Sequence, residues 1–331
     1  MRNKRTRKIA VAGAKIAVSA AACAAVVMWA DPHSLLRVFA SVKIHFFALG
    51  LVLAALGQVM NAWKVSLIIG DTAGLVRELT RINFVCVFFA NFMPGIAGQD
   101  AVRVFYLGKK IGSFSAAGSA VLLDRISGYT IQCMVAAIAL IIVGWRKFDQ
   151  VGTMTAVVTA AVTIGTLIVA LVWVFINTQK IGAWLRKKVT GRFGDSGNPD
   201  EIFGAFGNNP WRFLRFFSVG LVYYCTTIVL IMVLTHALGS RLSFFETALV
   251  LPLVSLGAFL PVSVNGWGIT EWIFSFSYVY LAAGKGIGLS VSLLLRVLML
   301  GLSIVGWILL IQKGEKLAGL RTRLRTIRHE A

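Results

Sequence analysis

Residues 91–100 read Asn-Phe-Met-Pro-Gly-Ile-Ala-Gly-Gln-Asp, and residues 260–271 read Leu-Pro-Val-Ser-Val-Asn-Gly-Trp-Gly-Ile-Thr-Glu. Each stretch interrupts an apolar run with proline and glycine, then places one acid, Asp100 or Glu271, among apolar residues. Proline removes an amide donor and glycine loosens a helix, so each run is expected to divide into two half-helices. Twenty-five residues after each acid stands an arginine in an apolar segment, Arg125 after Asp100 and Arg296 after Glu271. An ionised group at membrane depth is costly unless it is paired. One spacing used twice predicts two acid–arginine pairs and an internal repeat built around a polar cavity.

Composition places the chain in lipid. Hydrophobic residues fill 58% of the 331 positions and charged ones 14%, with a mean hydropathy of +0.81. A soluble domain carries about 25% charged residues. Stretches 150–179 and 247–270 contain no charge. Cys23, Cys86, Cys133 and Cys225 sit singly in apolar runs, and the four histidines are equally dispersed. That scatter fits neither a metal site, nor a disulfide frame, nor a catalytic triad. No metal and no cofactor is expected, and residues 282–286 lack the full phosphate-loop pattern.

The net charge of +20 would suggest nucleic acid in a soluble protein. Here 19 of the 33 Lys and Arg lie in three patches between apolar runs: residues 1–15, Lys180–Arg215 and the tail from Lys313. The positive-inside rule explains such patches without nucleic acid, so no nucleic-acid partner is expected. The amino-terminal basic region and apolar run resemble a signal peptide, but Lys15 shortens the run, and a retained first helix is expected.

Six runs are long enough to span, taking about 20 residues as the requirement: 9–30, 45–69, 113–144, 151–177, 214–237 and 287–312. The broken stretches 82–107 and 246–284 are either kinked spans or re-entrant hairpins. If both span, the Lys180–Arg215 patch faces outward with its seven basic residues. If both are re-entrant, all three patches face the cytoplasm, and only Arg37, Lys43, Arg146, Lys147, Arg241 and Lys285 remain outside, six against 23. The charge rule selects the re-entrant arrangement. The expected fold is therefore an all-α polytopic membrane protein with about six transmembrane helices plus two re-entrant broken-helix hairpins. Residues 45–144 and 214–312 form repeats 1 and 2, upside down relative to one another. A basic loop at 178–212 and a basic tail at 313–331 are cytoplasmic. Inverted repeats with broken helices meeting near the midplane are the architecture of secondary transporters.

The second half-helix of the first hairpin is expected to start near Gly98, its free amides forming an anion site. Asn91 and Gln99 are placed to satisfy backbone groups at the break. Asn265, Gly266 and Gly268 stand in the same relation to Glu271, with Ser263 adding a hydroxyl. A guanidinium is a planar fork suited to phosphate, so Arg125 and Arg296 are candidate phosphate ligands. Arg103 and Lys64 are placed as an entrance near the cytoplasmic end. Asp124, beside Arg125, is expected to share its compensation, and Asp100 and Glu271 are candidate gating carboxylates. The plainer alternative is that both pairs only lock helices together. Gly95 and Gly98 serve close helix approach equally well, and residues 116–120, Ala-Ala-Gly-Ser-Ala, read as helix packing. Residues 180–189 place Ile181, Trp184, Leu185 and Val189 on one face amid basic residues. They read either as a helix lying in the headgroup layer or as a plain basic loop.

With these motifs the chain resembles the lysylphosphatidylglycerol synthase transmembrane-region family of flippase-like membrane proteins. The resemblance rests on Asn91, Pro94, Gly95, Gly98, Asp100 and Arg103, on Ala117, Ser119, Val121, Asp124 and Arg125, and on Leu260, Pro261, Ser263, Asn265, Gly266, Gly268 and Glu271. Residues 62–67 resemble the family's basic–Trp segment, with Lys64 here following Trp63. The likeness covers about residues 10–315. It implies a polytopic domain that moves a phospholipid or lipid-linked head group between leaflets. Taken with the charge pattern, a bacterial-type inner-membrane translocase of a phospholipid or lipid-linked phosphate with both termini cytoplasmic is expected. Larger members join it to a soluble aminoacyl-transferase that makes lysyl-phosphatidylglycerol from lysyl-tRNA. Only a basic tail follows the last span here, so that activity is not expected. The expected partners are the membrane, an anionic phospholipid or lipid-linked phosphate, and an envelope-synthesis enzyme or a second copy of the chain. A secondary transporter of a small anion and a non-transporting scaffold for envelope lipid synthesis remain alternatives. An intramembrane enzyme acting on a lipid phosphate is a third, with Ser119, Ser127 and Ser263 its only visible nucleophiles and no histidine nearby.

Overall fold

The computed structural model describes residues 44–70, 73–91, 95–147, 209–259, 266–281 and 286–312. They form eight helices: α1 (Ile44–Ile69), α2 (Ala73–Ala90), α3 (Gly95–Ile111), α4 (Phe114–Lys147), α5 (Pro210–Ala237), α6 (Phe244–Phe259), α7 (Ile269–Tyr280) and α8 (Ile287–Gln312). There is no strand among the described residues. Four helices are long and apolar enough to cross a membrane: Ile44–Ile69, Phe114–Gly144, Pro210–Ala237 and Ile287–Gln312. These match four of the six expected spans. The runs at 9–30 and 151–177, the basic loop through residue 208 and the tail from 313 lie outside the described residues.

Both broken stretches are helix pairs. The first divides into α2 and α3, the second into α6 and α7. Asn91 closes α2 by turning its side-chain amide back onto the carbonyls of Val87 (3.3 Å) and Phe88 (3.5 Å). The next helix begins at Gly95, directly after Pro94, rather than near Gly98. In the sequence a proline directly precedes that start, and proline's fixed φ and missing amide suit the entrance to a helix. Asp100 consequently lies in the second turn of α3, one turn further from the free amides than expected. In the second hairpin Gly266 and Gly268 take φ of 75° and 85°, backbone that side chains with a Cβ rarely adopt. They turn the chain into α7, where Glu271 sits in the first turn as expected.

Successive helices joined by short links pack as antiparallel neighbours. Thus α1 lies on α2, α2 on α3, α3 on α4, α5 on α6, α6 on α7 and α7 on α8. Further packings join the two sets, the most extensive being α1 on α5, α2 on α8 and α4 on α6. Exchanging α1–α4 with α5–α8 maps these contacts onto one another. The closest approaches use glycine. A Cβ on Gly306 of α8 would lie 2.1 Å from the Phe84 carbonyl oxygen of α2, and one on Gly288 would lie 2.3 Å from that of Phe274 in α7. Small residues permit such backbone contact where lipid supplies no hydrophobic drive between helices. Two apolar cores result. One gathers Tyr224, Ile228, Ile231, Leu234, Phe274, Tyr278 and Leu298, and the other Ala62, Val65, Ile68, Leu79, Cys86, Leu107, Ala117 and Phe216.

Candidate functional site

Both predicted pairs form. Arg125 grips Asp100 with two nitrogens: Nε lies 3.1 and 3.0 Å from the two carboxylate oxygens, and a terminal nitrogen lies 2.7 Å from Oδ1. The pair joins α3 to α4 and remains partly open, with side-chain exposures of 30% for Arg125 and 20% for Asp100. Arg125 lies eleven residues past Phe114, or about 16 Å along the helix. That depth puts the charge beyond easy snorkelling if α4 starts at the membrane surface.

Glu271 is held by more donors. Its Oε2 accepts from the Gly268 backbone amide at 2.7 Å and lies 3.0 Å from the Thr270 hydroxyl. Its Oε1 accepts from Arg296 Nε at 3.0 Å and from Ser292 Oγ at 3.3 Å. Arg296 also donates to Thr270 Oγ1 at 2.8 Å and stacks on the Trp267 ring, 4.5 Å from its centroid. Here the carboxylate is 2% exposed and the guanidinium 16%. Glu271 therefore does two jobs: it caps the broken end of α7 and anchors Arg296 of α8.

Asp124 is a local structural partner of two other cations. Its carboxylate does not turn to Arg125; it receives Lys64 Nζ at 3.1 Å and a terminal nitrogen of Arg103 at 2.9 Å. Adjacent residues on a helix point about 100° apart, so Asp124 and Arg125 face different neighbours. Lys64 also donates to the Asp124 backbone carbonyl at 3.2 Å and sits 5.0 Å from the centroid of the Phe216 ring. Arg103 donates to the side-chain oxygen of Asn61, which also accepts from Asn83 at 3.2 Å. Lys64 and Arg103 are thus not an open entrance: their side chains are 2% and 6% exposed. Room for Lys64 comes from Gly220 of α5, where a Cβ would stand 3.2 Å from Lys64 Cε and 2.6 Å from Ile131 Cδ1.

The structure brings Asp100, Arg103, Asp124 and Arg125 into one interface between α3 and α4, and Gly266, Gly268, Glu271 and Arg296 into another around α7 and α8. Gly98 lies half-buried one turn from the start of α3. Asn91 spends its side chain on the end of α2, and Asn265 and Ser263 lie outside the described residues. The helices bearing the two arginines, α4 and α8, each contact α1 and α5 without packing extensively on one another. A separate cavity of about 220 Å³ is lined by Arg81, Ile82, Val85, Tyr106, Leu309 and Leu310, at the side of α2, α3 and the end of α8.

Several members were not singled out from sequence: Asn61, Asn83, Trp267, Thr270 and Ser292. Asn61 stands three residues before Lys64, the spacing of one helical face, and Asn83 is a lone amide in an apolar run. Those were signals available to a reading that had looked for neutral polar groups as well as charges.

Eight helices with four apolar spans, and charged groups paired within them, define a polytopic α-helical membrane protein. The model of the lysylphosphatidylglycerol synthase TM region matches residues 12–306, and the chain belongs to that family. No curated protein and no solved structure matches it.

Proposed function

We propose that the protein is a lipid translocase of the inner membrane, moving an anionic phospholipid or lipid-linked phosphate head group between leaflets. The observation that carries this reading is the pair of bidentate or stacked arginines at corresponding places, each held by an acid that a phosphate is chemically able to replace. Carboxylate and phosphate offer a guanidinium the same planar pair of acceptors. Asp100 and Glu271 then act as resting counter-ions, released when the head group arrives. The exchange symmetry of the helix contacts supports two repeats, 45–144 and 214–312. The charge distribution supports inverted re-entrant hairpins, with both termini on the cytoplasmic side. Transport rather than aminoacyl transfer is the activity proposed.

The test is reconstitution. Purified protein in liposomes carrying fluorescent phosphatidylglycerol should expose inner-leaflet probe to an external quencher faster than protein-free liposomes do. Arg125→Ala with Arg296→Ala should abolish the difference. Equal rates with and without protein, for both phosphatidylglycerol and a lipid-linked phosphate, would sink the proposal.

A further inference from the structure

The two repeats are not equivalent in charge. Acid and arginine in repeat 2 each lie 171 positions after their counterparts in repeat 1. At the same offset Arg103 corresponds to Phe274 and Asp124 to Leu295. Phe274 is buried at 1% exposure, and Leu295 packs against the same apolar core. Repeat 2 therefore balances one carboxylate against one guanidinium, with only neutral groups such as Thr270 and Ser292 around them and hydrocarbon where repeat 1 has Arg103 and Asp124. Repeat 1 replaces that hydrocarbon with a second ionic layer and brings in Lys64 from α1.

The count in repeat 1 does not close. Among the described residues, three cations (Lys64, Arg103 and Arg125) meet two carboxylates, Asp100 and Asp124. Asn61 and Asn83 add only neutral amides. Arg103 Nε is buried and makes no hydrogen bond among the described residues. A surplus positive charge beside a hydrogen-bond donor in use for nothing, in surroundings that solvate ions poorly, is unfavourable unless an anion balances it. The way in is the neighbouring pair. Asp100 and Arg125 are the partly exposed members, while Lys64, Arg103 and Asp124 lie behind them.

We propose that repeat 1 is the retaining site for the head-group phosphate, one phosphate monoanion that engages Arg125 and is held by the surplus charge of Lys64 and Arg103, a surplus that Arg296 in repeat 2 lacks. This deepens the translocase reading and rests on it for the carrier of the phosphate. It assigns to Lys64, Arg103 and Asn61 a part in ligand retention that no residue of repeat 2 shares.

Ligand-linked thermal stabilisation of the detergent-solubilised protein tests it, because a ligand bound to the folded state raises the unfolding temperature with concentration. Short-chain phosphatidylglycerol, short-chain phosphatidylcholine and inorganic phosphate are the probes. Phosphatidylglycerol should stabilise the wild type, and phosphatidylcholine, whose phosphate already has an internal cation, should do so far less. Lys64→Met and Arg103→Gln should each weaken the apparent affinity for phosphatidylglycerol about tenfold or more, the scale of one charge-assisted contact. Arg81→Gln, which removes a cation of the same sign at the exposed Glu78 pair, should leave it unchanged. If inorganic phosphate stabilises with the same variant dependence, the bare anion suffices; if it does not while phosphatidylglycerol does, the glycerolipid is needed too. Either result supports the site. Equal stabilisation of the wild type by phosphatidylcholine overturns it without recourse to variants, as does an unchanged affinity in Lys64→Met. Binding that follows these expectations while liposomes show no lipid movement would retain the anion site and remove the translocase reading instead.

Discussion

Asp124 faces two cations with a buried carboxylate, and Asp100 faces one from a position open to its surroundings. Removing one partner of a buried pair leaves an uncompensated charge, a loss of about 3–5 kcal/mol. Asp124→Asn should therefore lower stability by that order, seen as a large fall in unfolding temperature in detergent. Asp100→Asn should cost less than half as much, because Arg125 can regain other partners. Combining Asp124→Asn with Lys64→Met should recover part of the loss, since the two residues are in contact and their effects are not independent. The acid–arginine pairs were legible in the sequence because an ion surrounded by apolar residues has few ways to be satisfied, and the repeated spacing named its partner. The partner of Asp124 was not legible. Lys64 lies 60 residues away on α1, and only the packing of α1 against α4 brings it there. Thr270 and Trp267 escaped for a different reason: a hydroxyl or an indole is tolerated in many environments, so its presence alone specifies no contact.

The proline and glycine motifs told where the helices break, and less about where they resume. The start of α3 falls at Gly95, three residues earlier than the glycine pattern suggested, and the register of Asp100 followed. Helix contacts were legible in part. The small run at 116–120 is packed as expected at Ala116, Ala117 and Ala120, all 0% exposed, whereas Gly118 faces open space with nothing within 4 Å of an added Cβ. Gly118→Ala should thus be neutral or stabilising by up to about 1 kcal/mol, the difference in helix propensity. Gly306→Ala should behave oppositely. Its new methyl would run into the Phe84 backbone, which has no rotamer with which to yield, and a loss of about 1–3 kcal/mol is expected. Unfolding of the two variants in one detergent makes the comparison, and similar losses in both would contradict the packing of α8 on α2.

Across the whole molecule, the charge rule and the contact pattern make separate demands on topology. Re-entrant hairpins put Lys110, at the end of α3, on the cytoplasmic side and Arg241, before α6, on the opposite side. With the four native cysteines replaced by serine or alanine, Lys110→Cys should react with an impermeant maleimide only in inside-out vesicles, and Arg241→Cys only in right-side-out ones. Both reacting from one side would refute the inverted arrangement. The four long spans among the described residues could be read from hydropathy because length and apolarity are properties of contiguous sequence. The pairing of α2 with α8 and of α4 with α6 could not, since it depends on which small residues meet across helices far apart in the chain.

Those two crossed packings tie each hairpin to the long helix that closes the opposite half. In the proposed translocase, a helix pair that shifted as its acid released an arginine would push on a helix of the other half. The α2–α8 junction at Gly306 sets bare glycine backbone against the Phe84 carbonyl, with only the Phe88 Cβ beside it, so it has little slack to absorb a displacement. Were the proposed translocase to move by shifting its helix pairs, this reciprocal wiring would hold the two halves out of phase, so that neither leaflet opens onto the other.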